Sequence, residues 1–205
     1  MSNNLSRRER KKNATRSSIL RAARHLFEEK GPENTSIEEI AEMADVSKST
    51  FFNYFPNKES LFTAIAEEEV QDILLLEEEL SSEKSALKKI RAITKRILED
   101  VIPYLHLTGK IVFTSIISTD GRPSPFLEIN FLLERIVKEG QEKGEIAAIF
   151  SPTDIATAIM GCCYGLIFRW IELGYKAGSI SELEKILDML FLSIKGPHAQ
   201  GSPKK

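Results

Sequence analysis

From Thr15 to Ile194 apolar residues recur every three or four positions, and nowhere does a convincing apolar–polar alternation mark a strand. The pattern predicts an all-α chain. A first helix over Asn13–Lys30 carries Ile19, Ala22, Ala23, Leu26 and Phe27 on one stripe and ends at Gly31-Pro32. Thr35 with Glu38 reads as a capping box for a second helix burying Ile37, Ile40, Ala41 and Ala44. After a turn at Asp45-Val46, Ser47 caps a short third helix ending near Phe55. A long fourth helix follows, Lys58 to about Leu80, with Leu61, Phe62, Ile65, Val70, Ile73 and Leu74 along one side.

Beyond Ser81-Ser82 a second, larger helical region is expected. Its helices cover about 87–101, 108–118 and 126–142, then 152–177 and 181–195, with a Pro/Gly-dense loop over 120–125. The organisation predicted is a basic disordered arm (1–12), a three-helix domain (13–60), a larger helical domain (61–195) and a disordered tail (196–205).

Charge alters the picture through its placement. The chain carries a net −2, but its first sixty residues carry +2 and the rest −4. Arg7, Arg8, Arg10, Lys11, Lys12 and Arg16 are opposed only by Glu9, which suits phosphate attraction as well as a solvated arm. The first five residues hold no apolar segment of a signal peptide, so a cytoplasmic location is expected. Ile155–Phe168 is free of charge, but its fourteen residues fall short of the roughly 20 that cross a bilayer, so no membrane is expected.

Enzyme chemistry finds no support. There is no glycine-rich phosphate loop, nucleophile elbow or histidine pair at helical spacing. His25, His106 and His198 lie in separate segments, and adjacent Cys162 and Cys163 read as small buried hydrophobes. No cofactor and no metal are expected.

Helix two, a tight turn and a short helix three form a helix-turn-helix arrangement. Val46, Phe51 and Phe55 anchor the third helix from below, and Ser47, Lys48, Ser49, Thr50 and Asn53 offer hydroxyl, ammonium and amide groups above. An αα-hairpin inside a bundle would share that shape. The residues are more specific. The run Ile37-Glu38-Glu39-Ile40-Ala41 through Val46-Ser47-Lys48-Ser49-Thr50-Phe51-Phe52-Asn53-Tyr54-Phe55 to Leu61, preceded by Ile19-Leu20-Arg21-Ala22-Ala23, resembles the DNA-binding domain of the TetR family.

The resemblance covers about fifty residues; the remainder matches only in its helical organisation. It implies a homodimeric repressor that binds a palindromic double-stranded DNA operator and is released by a small apolar or amphipathic effector. Carried over position by position, Lys48, Thr50, Asn53 and Tyr54 fall where the family touches DNA, Ser47 and Ser49 flank them, and Lys58 falls at a phosphate-contacting helix start. Ser49 stands where many members have glycine. Phe52 stands where many have a phosphate-contacting tyrosine, leaving its ring to pack on the groove.

In the second domain Tyr104, Phe113, Ile117, Phe126, Phe131, Tyr164 and Phe168 are candidates to line a ligand pocket, although such a stripe also suits ordinary core. Ala156, Ala158, Gly161, Cys162 and Gly165 on one helix, and Leu183, Ile186, Leu187, Leu190, Phe191 and Ile194 on the last, could form a dimer seam or pack within one subunit. Trp170 is expected at that seam. The competing function is an architectural or partner-regulated DNA-binding protein without a small ligand, whose second core would be filled.

Overall fold

The computed structural model describes residues 6–102, 105–116, 124–173 and 180–196. Among these it holds nine α-helices: α1 (Arg7–Lys30), α2 (Ile37–Met43), α3 (Lys48–Tyr54), α4 (Glu59–Glu79), α5 (Ala86–Val101), α6 (Leu105–Ile116), α7 (Phe126–Glu142), α8 (Pro152–Glu172) and α9 (Ile180–Ile194). The sole extended pairing among them is an isolated antiparallel bridge between Ile146 and Lys195.

Two apolar cores organise the helices. The first joins Ile19, Ala23 and Phe27 of α1 to Ile40 of α2, Phe51 of α3, and Leu61, Phe62 and Ile65 of α4. The second begins at Val70 and Ile73 farther along α4 and gathers α5, α7, α8 and α9. Helix α4 therefore belongs to both cores, because its stripe is longer than either. Helix α6 also crosses over: Leu107 and Ile111 are buried in the first core.

Local chemistry shifts several boundaries. Helix α1 starts at Arg7, six residues before the expected start, because Ser6 and Glu9 form a reciprocal capping box there. Residues 7–12, expected as a disordered arm, are therefore helical. The capping box of α2 is Ser36 with Glu39, one residue beyond the expected pair. Thr35 is buried instead, its hydroxyl donating to the carbonyls of Gly31 and Leu26 at 2.9 and 3.3 Å.

The end of α8 and the start of α9 also differ from expectation. Trp170 is 1% exposed, with its indole N–H donating to Glu182 at 2.8 Å, so it pins α8 to α9 within the subunit. Ala156, Leu183, Leu187, Phe191 and Ile194 are likewise buried in the subunit's own core. The outward face of α8 is Ala158, Gly161, Gly165 and Phe168, and that of α9 is Met189 and Leu192. Cys163 is buried, and its thiol is pushed up to about 12 by burial and then by Cys162. The expected loop over 120–125 lies outside the described residues except Ser124 and Pro125, as does the expected tail after Gly196.

Candidate functional site

The turn from α2 to α3 is set by backbone chemistry. Asp45 adopts φ +54°, the Val46 N–H donates to the Ala41 carbonyl at 2.9 Å, and the Asp45 N–H donates to Glu42 at 3.0 Å. These are the two bonds of a Schellman closure, with aspartate where glycine is usual. At the α3 start the Ser47 hydroxyl accepts from the Thr50 N–H at 3.1 Å and lies 2.8 Å from the Thr50 hydroxyl and 2.9 Å from that of Ser49. Phe51 and Phe55 point into the first core, 5.9 Å apart between ring centroids.

The opposite face is open. Lys48, Ser49, Phe52 and Asn53 are exposed, while Thr50 and Tyr54 are half-buried. Phe52 is 43% exposed, held edge-on by the Phe51 ring at 5.6 Å. The expected polar surface is thus gathered on one side of α3, with an aromatic ring in its middle.

Two positions have partners that the sequence did not announce. The Lys48 ammonium pairs with Glu38 of α2, and that contact, acting first as a hydrogen bond, lowers the Glu38 carboxyl below its ordinary value. A carboxylate therefore stands at the rim of the surface. Ten residues separate the pair, a spacing that belongs to no helical repeat. Lys58, expected at a phosphate, donates instead to the carbonyls of Pro32 and Thr35 at 2.6 and 3.2 Å. It ties the start of α4 to the α1–α2 connection.

A separate cavity lies between α4, α5, α6, α7 and α8. It is lined by Ile73, Ile97, Ile111, Phe126, Met160 and Tyr164 among others, and is overwhelmingly apolar. Its volume of about 60 Å³ is well above the roughly 10–15 Å³ that admits one water. Burial, then Cys163, pushes the Tyr164 phenol up to about 12, so it stands as a neutral donor. Of the seven residues expected here, Phe126 and Tyr164 line the cavity. Phe131 and Phe168 do not: they are 62% and 48% exposed because their positions on α7 and α8 turn away from the core. Tyr104 and Ile117 lie outside the described residues, as does the side chain of Phe113.

The cavity reaches the first core. Ile65, Leu107 and Ile111 border it and belong to that core, and Arg24 of α1 and Glu69 of α4 stand at its margin as an ion pair. Burial pushes the Glu69 carboxyl up, against the pull of Arg24. Arg24 also meets Glu68 at 3.3 Å, and Arg16 meets Glu67 at 3.2 Å, so α1 and α4 are laced by charge beside the cavity. Among the described residues no group of His, Cys, Asp and Glu side chains could hold a metal ion.

Comparison with known proteins agrees with this layout. Residues 19–65, which span α2, α3 and the flanking parts of α1 and α4, match the sequence model for bacterial regulatory proteins of the tetR family. Over 198 residues the chain is 27% identical to the HTH-type transcriptional regulator TtgR of Pseudomonas putida, covering 87% of this chain and 92% of that one. The HTH-type transcriptional regulator RutR of Escherichia coli is 42% identical over 59 residues, 29% of this chain and 28% of its own. The fatty acid degradation regulator FadR of Bacillus halodurans superimposes with a TM-score of 0.72 at 16% identity, covering 93% and 97% of the two chains. Thermus thermophilus FadR, solved with lauroyl-CoA, gives 0.63 at 24% identity with the same coverage. With its helix-turn-helix on the residues that the family model matches, the chain carries a DNA-binding domain of the TetR family and is a DNA-binding transcriptional regulator of the TetR type.

Proposed function

We propose that the chain acts as a homodimeric repressor that holds a palindromic operator and leaves it when a small apolar or amphipathic molecule enters the cavity. The observation that carries this reading is that cavity and DNA-binding core share residues. Ile65, Leu107 and Ile111 face both, and Lys110 of α6 pairs with Glu33 in the α1–α2 connection. A ligand that enlarges the cavity on its α4 or α6 side moves a helix that carries the first core with it. Packed interiors move as bodies rather than deforming smoothly, so the spacing of the two α3 helices changes. The effector works only by its preference for that second spacing.

The dimer is supported by surface. Ala158, Gly161, Gly165 and Phe168 on α8 and Met189 and Leu192 on α9 leave apolar or small side chains open, and a Cβ built at Gly161 or Gly165 meets nothing within 4 Å. A symmetric pair of such helices buries them as a four-helix seam. Ser47, Lys48, Ser49, Thr50, Phe52, Asn53 and Tyr54 then meet DNA from each subunit, one helical turn apart. The architectural alternative requires a filled second core, and the cavity argues against it.

The test is a thermal-shift and operator-release panel with decanol, decanoate and biphenyl as probes, since a ligand of the folded state raises Tm. At least one probe should raise Tm and release the operator, and Val112→Phe, which crowds the cavity, should blunt both effects. A panel that neither shifts Tm nor releases DNA would overturn the reading.

A further inference from the structure

Residues 7–14 form the first two turns of α1, and all eight are exposed; the buried face of that helix starts only at Ile19. Arg7, Arg8, Arg10, Lys11 and Lys12 have no ion-pair partner among the described residues. Farther along the same domain Arg16, Arg24, Lys30 and Lys48 each meet a carboxylate. The acid within this stretch, Glu9, is committed to the cap, accepting from the Ser6 N–H at 2.8 Å.

This helix is electrostatically adverse as it stands. Arg7 with Lys11 and Arg8 with Lys12 are like charges four apart, and Arg7 with Arg10 and Arg8 with Lys11 are three apart, so neighbours on the surface repel. All five sit in the opening turns, where the helix dipole already presents its positive end. Nothing packs against them to offset this. An external polyanion removes every one of these penalties together.

The position of the stretch identifies the polyanion. Just beyond it, the Ser18 hydroxyl donates to the Ala44 carbonyl at the α2–α3 turn, at 3.3 Å, and the Arg16 guanidinium lies 5.6 Å over the Phe55 ring at the end of α3. The free turns leave the body beside the recognition helix. At 1.5 Å per residue, Arg7 to Lys12 spans about 7 Å, a length over which duplex DNA presents about four phosphates.

We propose that residues 7–14 are a second DNA-contacting element, which grips the phosphate backbone beside the bases met by α3 and whose helix, already capped by Ser6 and Glu9, is steadied by that contact. The proposal rests on the reading of α3 as the groove-facing helix. It assigns affinity without sequence preference, since phosphates carry no base identity.

The experiment uses the full chain, with an operator selected by this protein from a random pool and an unrelated 30-base-pair duplex (about three helical turns at the 10–10.5 base pairs of each turn). Arg7→Gln, Arg8→Gln and Lys11→Gln together should flatten the log–log salt dependence by about 0.9 for each contact removed, near 3 for each subunit. Affinity near 0.1 M salt should fall at least about tenfold on both duplexes with their ratio unchanged. Arg7→Lys together with Arg8→Lys should retain the slope, since the charge is kept. Amides of residues 7–14 should exchange at least about tenfold more slowly with operator than without, as binding shuts local opening. An unchanged slope, unchanged exchange, or a loss confined to anionic phosphatidylglycerol vesicles would overturn the proposal while leaving α3 in place. A wild-type chain that binds no duplex removes the reading of α3, and the proposal with it.

Discussion

Replacing Lys58 with methionine keeps the aliphatic stem and removes the ammonium that bridges the carbonyls of Pro32 and Thr35 at 2.6 and 3.2 Å. Hydrogen bonds from a charged donor contribute about 1.5–3 kcal/mol each when well sheltered. Lys58 is half-buried and partly screened, so about 1.5–3 kcal/mol for the two together is expected. In a chain of this length that lowers Tm by about 3–10 °C at fixed protein concentration. Phosphate binding should change little, because at most one N–H remains to reach it. Thermal unfolding followed by circular dichroism, with DNA titrations over a salt series, separates the roles. An unchanged Tm with a salt slope flattened by about 0.9 would refute the reasoning and assign the ammonium to phosphate.

Phe52→Ala should leave Tm within about 1–2 °C, because the ring is 43% exposed, while operator affinity falls by about 1 kcal/mol of lost apolar contact; a badly destabilised protein with normal binding would place the ring in the core. Glu38→Gln should strengthen DNA binding a few-fold at low salt by freeing Lys48 and removing a carboxylate from the rim, the gain fading as salt screens the pair. Leu192→Glu, on the open face of α9, should yield monomers in sedimentation at nearly unchanged helicity. Leu187→Ala, in the subunit core, should instead cost about 2–5 kcal/mol of stability with the dimer contacts intact, and the opposite pattern would move the seam.

What was legible from the residues is largely what near neighbours in the chain decide. The stripe Ile19, Ala22, Ala23, Leu26 and Phe27, the Ser47 cap, the Asp45-Val46 turn and the Phe51–Phe55 anchor depend on spacings of one to eight residues, and the structure has each of them. The outward set on α3 follows from the same period, since burying Phe51 and Phe55 leaves Phe52 and Asn53 outside. The capping box slipped by a residue because Thr35 and Ser36 both qualify by type. Only the buried carbonyls of Leu26 and Gly31 draw the Thr35 hydroxyl inward.

Residue type alone determined that this chain is helical, that α2 and α3 form a helix-turn-helix, and that no familiar catalytic set is present. Tertiary structure decided what each apolar or charged side chain meets across the fold. The α9 stripe of Leu183, Leu187, Phe191 and Ile194 suits a dimer seam as well as a subunit core, yet all four are buried in the subunit while Leu192, off that stripe, is 71% exposed, because the amphipathic period gives a face without saying whether self or partner covers it. Lys48 and Lys58 read alike as cations for DNA, yet a carboxylate ten residues away and two carbonyls more than twenty residues away take their charge first. The cavity exists only where five helices fail to fill the space between them, and that sum of shapes is written in no local pattern.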